Sequence, residues 1–518
     1  MSPLTYIIVW PLFMALVLAL VPRNFRFVMR AGALLATLIS MLLAIKLFLQ
    51  YDGAAVEAGG YRFVQSIKWV DALGISFRVG VDGINIGLIL MGAVVAFAAA
   101  YAAWEIKERE KEFYILLLVM TGGILGAFAS LDLFFFYFFH ELALVPTFIM
   151  IGVWGRGENK NYATFQITLY LSLGALIALI GLIMLYLQMP ADARTFDIAE
   201  LTKYFQAHPV SASAQHVIFP LLMFGFGILV SLWPFHSWAP LGYGSAPAAT
   251  AMLHAGVLKK FGLYGLIRIA APMLPDGAKE WLPLLALLCL GNIFYCGLVA
   301  LRQRDLNFLL GNSSVAHMGF VFLGISSLSL VGVTGAVIVM IAHGFLAALN
   351  FALSGYIYGQ TRTLEMDKLG GLLRPMPFIG VVFGMAMLAS CGLPGFANFV
   401  GEVLVLFGAW KSMPAYVAIT AWGALVIGAV YTLRAVRKIL QGPVPELYAR
   451  TQDANNLWRQ LPFLILLACL LIFGCFPRLL TEKIKPAAEV IVSLAHPGGV
   501  NGASAMPAGR SSGRILRR

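Results

Sequence analysis

Of 518 residues, 60% are hydrophobic and only 12% charged, against about 25% charged in an ordinary soluble domain. This excludes a soluble enzyme and points to an all-α polytopic membrane protein with no soluble domain of useful size. The net charge of +12 is assigned to membrane-flanking loops and a basic tail, not to nucleic-acid binding.

Apolar runs long enough to span a bilayer fall near 4–22, 30–49, 84–104, 112–129, 131–153, 163–188, 216–233, 249–270, 282–301, 306–326, 330–358, 376–411, 416–440 and 460–477. That gives about 14 transmembrane helices, each near the ~20 residues a bilayer needs. The first run lacks a basic leader and a small-residue cleavage site, so it is read as a retained span. The run 376–411 is too long for one simple helix and contains Gly392-Leu393-Pro394-Gly395. Proline removes a donor and glycine relaxes the backbone, so a broken helix is expected there. A second break is expected near 216–240, at Trp233-Pro234. Paired interruptions of this kind are a feature of inverted-repeat transporters.

Basic residues follow the odd-numbered spans: Arg23, Arg26 and Arg30; Lys107, Arg109 and Lys111; Arg156 and Lys160; Arg302 and Arg304; Arg362, Lys368 and Arg374; Arg434, Arg437 and Lys438. The loops after even-numbered spans are poorer in them and carry acids such as Asp52, Glu57, Asp192 and Asp197. The positive-inside rule then places both termini outside, which in a bacterial inner (cytoplasmic) membrane means the periplasm. The Gly/Ser/Pro/Ala-rich end after Pro497, with Arg510, Arg514, Arg517 and Arg518, is expected to be a disordered tail.

Charges inside spans carry the functional signal. Lys259 and Lys260 sit mid-run in 249–270, Lys260 about 15 Å from either end at 1.5 Å per residue. An ammonium at that depth costs a few kcal/mol and must face protein or internal water. Glu141 lies near the middle of 131–153 among aromatic and aliphatic neighbours, where a lone carboxylate must be neutralised or paired. It reads as a proton carrier, or else as half of a fixed ion pair. Glu402 follows the Gly/Pro break, which suits a hydrated channel or a cap on freed backbone groups. His254, His317 and His343 also lie within or beside spans and are relay candidates, each with structural hydrogen bonding as its alternative. The five cysteines (Cys289, Cys296, Cys391, Cys469 and Cys475) form no CxxC pair, and no Walker, dinucleotide or Ser–His–Asp pattern is present. No metal or cofactor site is expected in this chain.

Several stretches together resemble a known family. They are VGVDGINIGL at 79–88, SLDLFFFYFFHELALVPTFIMIGVWG at 130–155, PFHSWAP, SAPAAT and AGVLKKFGLYGLIR. RDLNFLLGNSSVAHMGFVFLGI at 304–325, AHGF, MDKLGGL and GLPGFANFVGEVLVL follow in the same order. The chain resembles the M-type, antiporter-like (Mrp-type) subunits of proton-pumping NADH:quinone oxidoreductase, respiratory complex I. The resemblance implies two inverted five-helix repeats and a hydrated mid-membrane charge axis. It also implies L-like and N-like partner subunits, with NADH, FMN, iron–sulfur clusters and quinone held in partner chains.

On that basis the units are helices one to three (1–110), a first repeat (111–271), a second repeat (281–440), a C-terminal helix region (441–492) and a basic tail (493–518). Glu141, Lys260 and Glu402 match the family's fifth-, eighth- and twelfth-helix charges. Several sister subunits carry lysine at the last of these, so Glu402 favours an M-type chain. Alternatives are a cation/proton antiporter subunit of the Mrp kind, a membrane arm of a related hydrogenase or CO2-uptake complex, and a structural subunit without transport.

The chain also departs from the family pattern. Leu229 stands where the family carries a helix-seven lysine, and Ser231 replaces a preceding proline. Pro240-Leu241-Gly242-Tyr243 replaces Pro-Asp-Ala-His, and Asp305-Leu306-Asn307-Phe308 replaces Asp-x-Lys-Arg. Lys259 or His254 is the expected substitute for the missing lysine beside Glu141.

Overall fold

The computed structural model describes residues 2–52, 60–103 and 106–496. Glu57 and the expected tail arginines lie outside the described residues. Two helices, α1 (Pro3–Leu20) and α2 (Arg26–Gln50), lead into a β-hairpin, β1 (Arg62–Val70) and β2 (Ile75–Val81), paired antiparallel. Then follow α3 (Asn85–Ala102), α4 (Glu110–Ala129), α5 (Leu133–Trp154), α6 (Lys160–Tyr186), the short α7 (Ile198–Ala207) and α8 (Ala212–Val230). Twelve helices among the described residues are long and apolar enough to cross a membrane, counting two that run through short π-helical turns. The protein is a multi-pass integral membrane protein. The hairpin escaped the sequence reading because its strands are short and mixed in polarity, so no apolar run marks them.

The expected break near 216–240 is present. α8 ends on Ser231 at φ +71°, and the chain resumes as α9 (Trp238–Ser245). A break inside a membrane leaves polar backbone groups that must be satisfied by protein or water. Asn292 does this: its Nδ2 donates to the Ser231 carbonyl at 2.9 Å and its Oδ1 accepts from Trp233 N at 2.8 Å.

The run expected as one helix over 249–270 is not continuous. It consists of α10 (Ala248–Gly256), a 3-10 turn at Leu258–Lys260, α11 (Phe261–Gly265), a π-helical turn at Leu266–Ala270 and α12 (Ala271–Met273). Apolar periodicity does not report such local changes of winding, so sequence alone gave no warning.

The second half begins with α13 (Pro275–Leu290), a π turn at Gly291–Tyr295 and α14 (Cys296–Arg302). Next come α15 (Leu306–Ser326) and the long α16 (Leu330–Thr361), both buried almost throughout. The run 376–411 splits as expected into α17 (Pro377–Ser390) and α18 (Ala397–Trp410), with Gly392 at φ +73° in the gap. The chain closes with α19 (Pro414–Trp422), a π turn at Gly423–Gly428, α20 (Ala429–Leu440), α21 (Leu457–Cys475) and α22 (Arg478–Ala495). α22 is amphipathic and packs on α16 and α12. It runs past residue 492, so the expected tail shares its first three residues with this helix.

One construction occurs twice. Asp132 caps α5 by accepting from Phe134 N and Phe135 N at 2.9 and 3.1 Å, and the chain around it bridges the segment around Asp197. Asp305 caps α15 by accepting from Asn307 N and Phe308 N at 2.8 and 3.2 Å, and the chain around it bridges Glu365. These caps open the fifth and tenth expected spans, so alternation of helix direction puts them at opposite membrane faces.

Candidate functional site

The interruption at Leu258–Lys260 frees the Ala255 carbonyl, and Lys260 uses it: Nζ donates to Ala255 O at 2.5 Å. The same Nζ lies 2.9 Å from His343 Nδ1 on α16. Small residues allow this approach. An ideal Cβ on Gly344 would collide with Met91 Sδ and stand 3.0 Å from the Gly256 carbonyl, so α10 and α16 meet backbone to backbone beside His343.

From His343 the polar contacts continue inward. The His343 and His317 rings lie 5.5 Å apart, centroid to centroid. His317 Nδ1 is 2.7 Å from the Ser313 carbonyl, and Nε2 is 3.0 Å from the Ser390 carbonyl at the end of α17. His317 thus serves the second break as Asn292 serves the first. Its Nε2 also lies 3.8 Å from Glu402 Oε1. Lys260, His343, His317 and Glu402 are all buried and form one row from the eighth span to the twelfth.

Two small cavities flank His317 and Ser390. One of about 10 Å³ is lined by Ser313, Ser314, His343 and Asn350; the other, of about 20 Å³, by Cys391, Glu402 and Tyr431. Volumes on this scale admit a single water each. The polar atoms suit such an occupant: Asn350 Oδ1 in the first cavity and Glu402 Oε1 in the second have no hydrogen-bond partner in the protein. A hydroxyl link joins the two sides, with Tyr431 Oη 3.0 Å from Ser313 Oγ.

Glu141 departs from the expected arrangement. The sequence reading placed it in a buried axis, but its side chain is 34% exposed on the outer face of α5, beside exposed Phe138 and Val145. Its partner is His140 Nδ1 at 3.2 Å. His140 points inward and stacks on Phe261 with centroids 4.0 Å apart. The helix turns by about 100° per residue, so of these adjacent residues Glu141 faces outward and His140 faces the core.

The expected substitutes for the missing helix-seven lysine do not touch Glu141. His254 is held by the Tyr243 hydroxyl at 3.1 Å and packs edge-on against Trp238. Lys259 points to α15, 3.4 Å from Ser314 Oγ and 5.8 Å from the Tyr243 ring centroid. Leu229 is buried.

Sequence reasoning missed Asn292, Ser313, Ser314, Ser390 and Tyr431. The available signal was small polar residues inside apolar runs, as in GNSSVAH at 311–317. Among the described residues no group of three or more His, Cys, Asp or Glu side chains is placed to hold a metal ion.

Comparison with known proteins bears on this geometry. Residues 130–428 match the family described as NADH:quinone oxidoreductase/Mrp antiporter, TM. The chain is 33% identical to NADH-quinone oxidoreductase subunit M of Rhodobacter capsulatus, over 90% of each chain. It is 34% identical to F(420)H(2) dehydrogenase subunit M of Methanosarcina mazei, over 90% of this chain and 93% of that one. A chain of respiratory complex I from Thermus thermophilus superposes with a TM-score of 0.86 at 28% identity, covering 95% of this chain and 99% of that one.

Proposed function

This chain belongs to the NADH:quinone oxidoreductase/Mrp antiporter transmembrane family, and from that premise we propose that it is a proton-translocating, M-type subunit in the membrane arm of a complex-I-like oxidoreductase. Protons move along Lys260, His343, His317 and Glu402, with water in the two cavities completing the gaps. The observation that carries this reading is the row of four buried ionisable side chains from four spans, with a water-sized cavity on each side of His317. Buried groups without matched counter-ions are costly to charge, so each senses its neighbour's charge strongly. Protonating one member therefore biases the next, and a change imposed at one end of the row is passed along it.

Glu141 with His140 forms the outer end of this system. It is separated from Lys260 by the Phe261 ring and faces a neighbouring membrane subunit of the L or N kind. His254 lies within electrostatic reach of His140 and both lysines, which suits a coupling role between the two parts. NADH, FMN, iron–sulfur clusters and quinone belong to partner subunits, which supply the driving change. Both termini are periplasmic and the membrane is the bacterial inner membrane. The repeated caps and paired breaks support the division into inverted repeats at 111–271 and 281–440.

A second electron donor is favoured by one observation: the F(420)H(2) dehydrogenase subunit is as similar as the NADH-linked relative. Gentle solubilisation and a subunit inventory decide between them. Iron–sulfur and flavin subunits with an NADH-oxidising chain support the NADH assignment. Antiporter subunits alone assign the chain to a cation/proton antiporter. The transport role is tested by Glu402→Gln in the intact complex, with proton uptake into inverted vesicles as readout. Undiminished uptake with a normally assembled complex removes the row from the mechanism.

A further inference from the structure

Lys259 is not used by the row described above, yet it is 1% exposed and adjacent to Lys260, which is fully buried. Among the described residues no carboxylate lies within 4.0 Å of either amine. Two adjacent ammonium groups without counter-ions in a low-dielectric interior repel strongly, and desolvation adds to the penalty. A single proton shared by the pair avoids that repulsion.

The 3-10 turn at Leu258–Lys260 points the two side chains apart. Lys260 reaches His343, and Lys259 reaches Ser314 Oγ at 3.4 Å. Ser314 and His343 line the same cavity of about 10 Å³, together with His317. Both amines thus open onto one small polar space, from different sides. The other titratable groups in reach of Lys259 are His236, His254, Tyr243 and Cys296, none of which supplies a carboxylate.

We propose that Lys259 is a second proton-carrying amine, sharing a single proton with Lys260 and delivering it through the Ser314 hydroxyl to the cavity that His343 and His317 line. This inference rests on the transport reading given above. In the step, an N–H bond of the Lys259 ammonium breaks and Ser314 Oγ takes that proton. Ser314 releases its own hydroxyl proton to a water in the cavity, which passes one on to a histidine ring nitrogen. One proton leaves Lys259, one enters the row, and Ser314 is unchanged. The chain thereby has two inlets to the same space.

The test uses the intact membrane complex, with proton flux per electron pair measured in vesicles and complex abundance measured alongside. Lys259→Met is expected to lower flux by about tenfold, the scale on which loss of a positioned proton-transfer group is felt. Ser314→Ala is expected to lower it by a smaller factor. The double variant is expected to be no worse than Lys259→Met, because two groups on one branch are not independent. Wild-type flux in assembled Lys259→Met overturns the proposal. Independent, multiplying losses in the double variant overturn the Ser314 route. If Lys259→Met fails to assemble, Lys259→Gln carries the same arm, and wild-type flux there has the same force. Lys260→Met is run in parallel: if it too leaves flux intact, the transport reading itself fails, whereas loss in Lys260→Met alone removes only the role of Lys259.

Discussion

Lys260 Nζ and His343 Nδ1 stand 2.9 Å apart across 83 residues of sequence, a contact made between an interrupted helix and an unbroken one. The interrupted helix gives the lysine a carbonyl to hold, and the straight helix supplies the next proton acceptor.

Removing either member of this contact breaks the row at its start. Lys260→Met and His343→Leu are each expected to lower proton flux by about tenfold or more, with the complex still assembled. The check is vesicle acidification against quinone-dependent electron transfer, measured on the same preparation. Electron transfer that continues while acidification stops is the expected uncoupled signature.

The helix crossing at Gly344 sets that contact. Gly344→Ala places a methyl group into Met91 and the Gly256 backbone, an overpacking that costs about 1–3 kcal/mol. The expected result is lower thermal stability in detergent together with reduced flux, because α10 is pushed away from His343. Met91→Ala in the same chain relieves the side-chain clash and is expected to recover part of the stability. It should not recover all of it, since the Gly256 carbonyl stays in place.

At the hairpin end, Arg268 Nη2 donates to Asp82 Oδ2 at 2.5 Å, and the Tyr61 and Tyr264 hydroxyls surround the guanidinium. Both charged groups are buried. Asp82→Asn leaves the arginine without its counter-charge and is expected to destabilise the fold by about 3–5 kcal/mol. Replacing both, as Asp82→Asn with Arg268→Met, is expected to cost less than Asp82→Asn alone. A double-mutant cycle on detergent melting temperature measures the difference.

The two helix caps give a paired stability test. Asp132→Ala and Asp305→Ala each remove two backbone hydrogen bonds, at about 1 kcal/mol per cap. Asp132 also accepts from Ser76 N on the hairpin at 3.0 Å, so its loss is expected to be the larger. Comparing the two single variants by thermal unfolding decides this ordering.

Much of the architecture was legible because bilayer thickness imposes a length on apolar runs, and prolines and glycines mark where a run must stop. Both interrupted regions near Pro234 and Gly392 were readable for that reason. The row itself was legible as isolated ionisable residues in apolar surroundings, since no lipid-facing position favours Lys260 or Glu402. What could not be read was direction. Glu141 and His140 are neighbours in sequence, and only the packing of α5 shows which of them turns inward. The 3-10 turn that separates Lys259 from Lys260 leaves no mark in a hydrophobic pattern, because its residues keep the composition of an ordinary helix. The hairpin was hidden for the opposite reason: too short and too mixed to stand out beside the long apolar segments.

The twin latches at Asp132 and Asp305 fasten the rims of the molecule, each tying the start of one helix to a strand-like stretch of a later loop. Where the eighth and twelfth spans lose regular winding, the described residues form no such strand bridge, and single side chains such as Lys260 and His317 hold the turns instead. Compliance is therefore concentrated at the waist, in the same layer as the charges. A shift in charge there has only side chains and short irregular turns to displace, so the outer ends stay clamped while the waist yields.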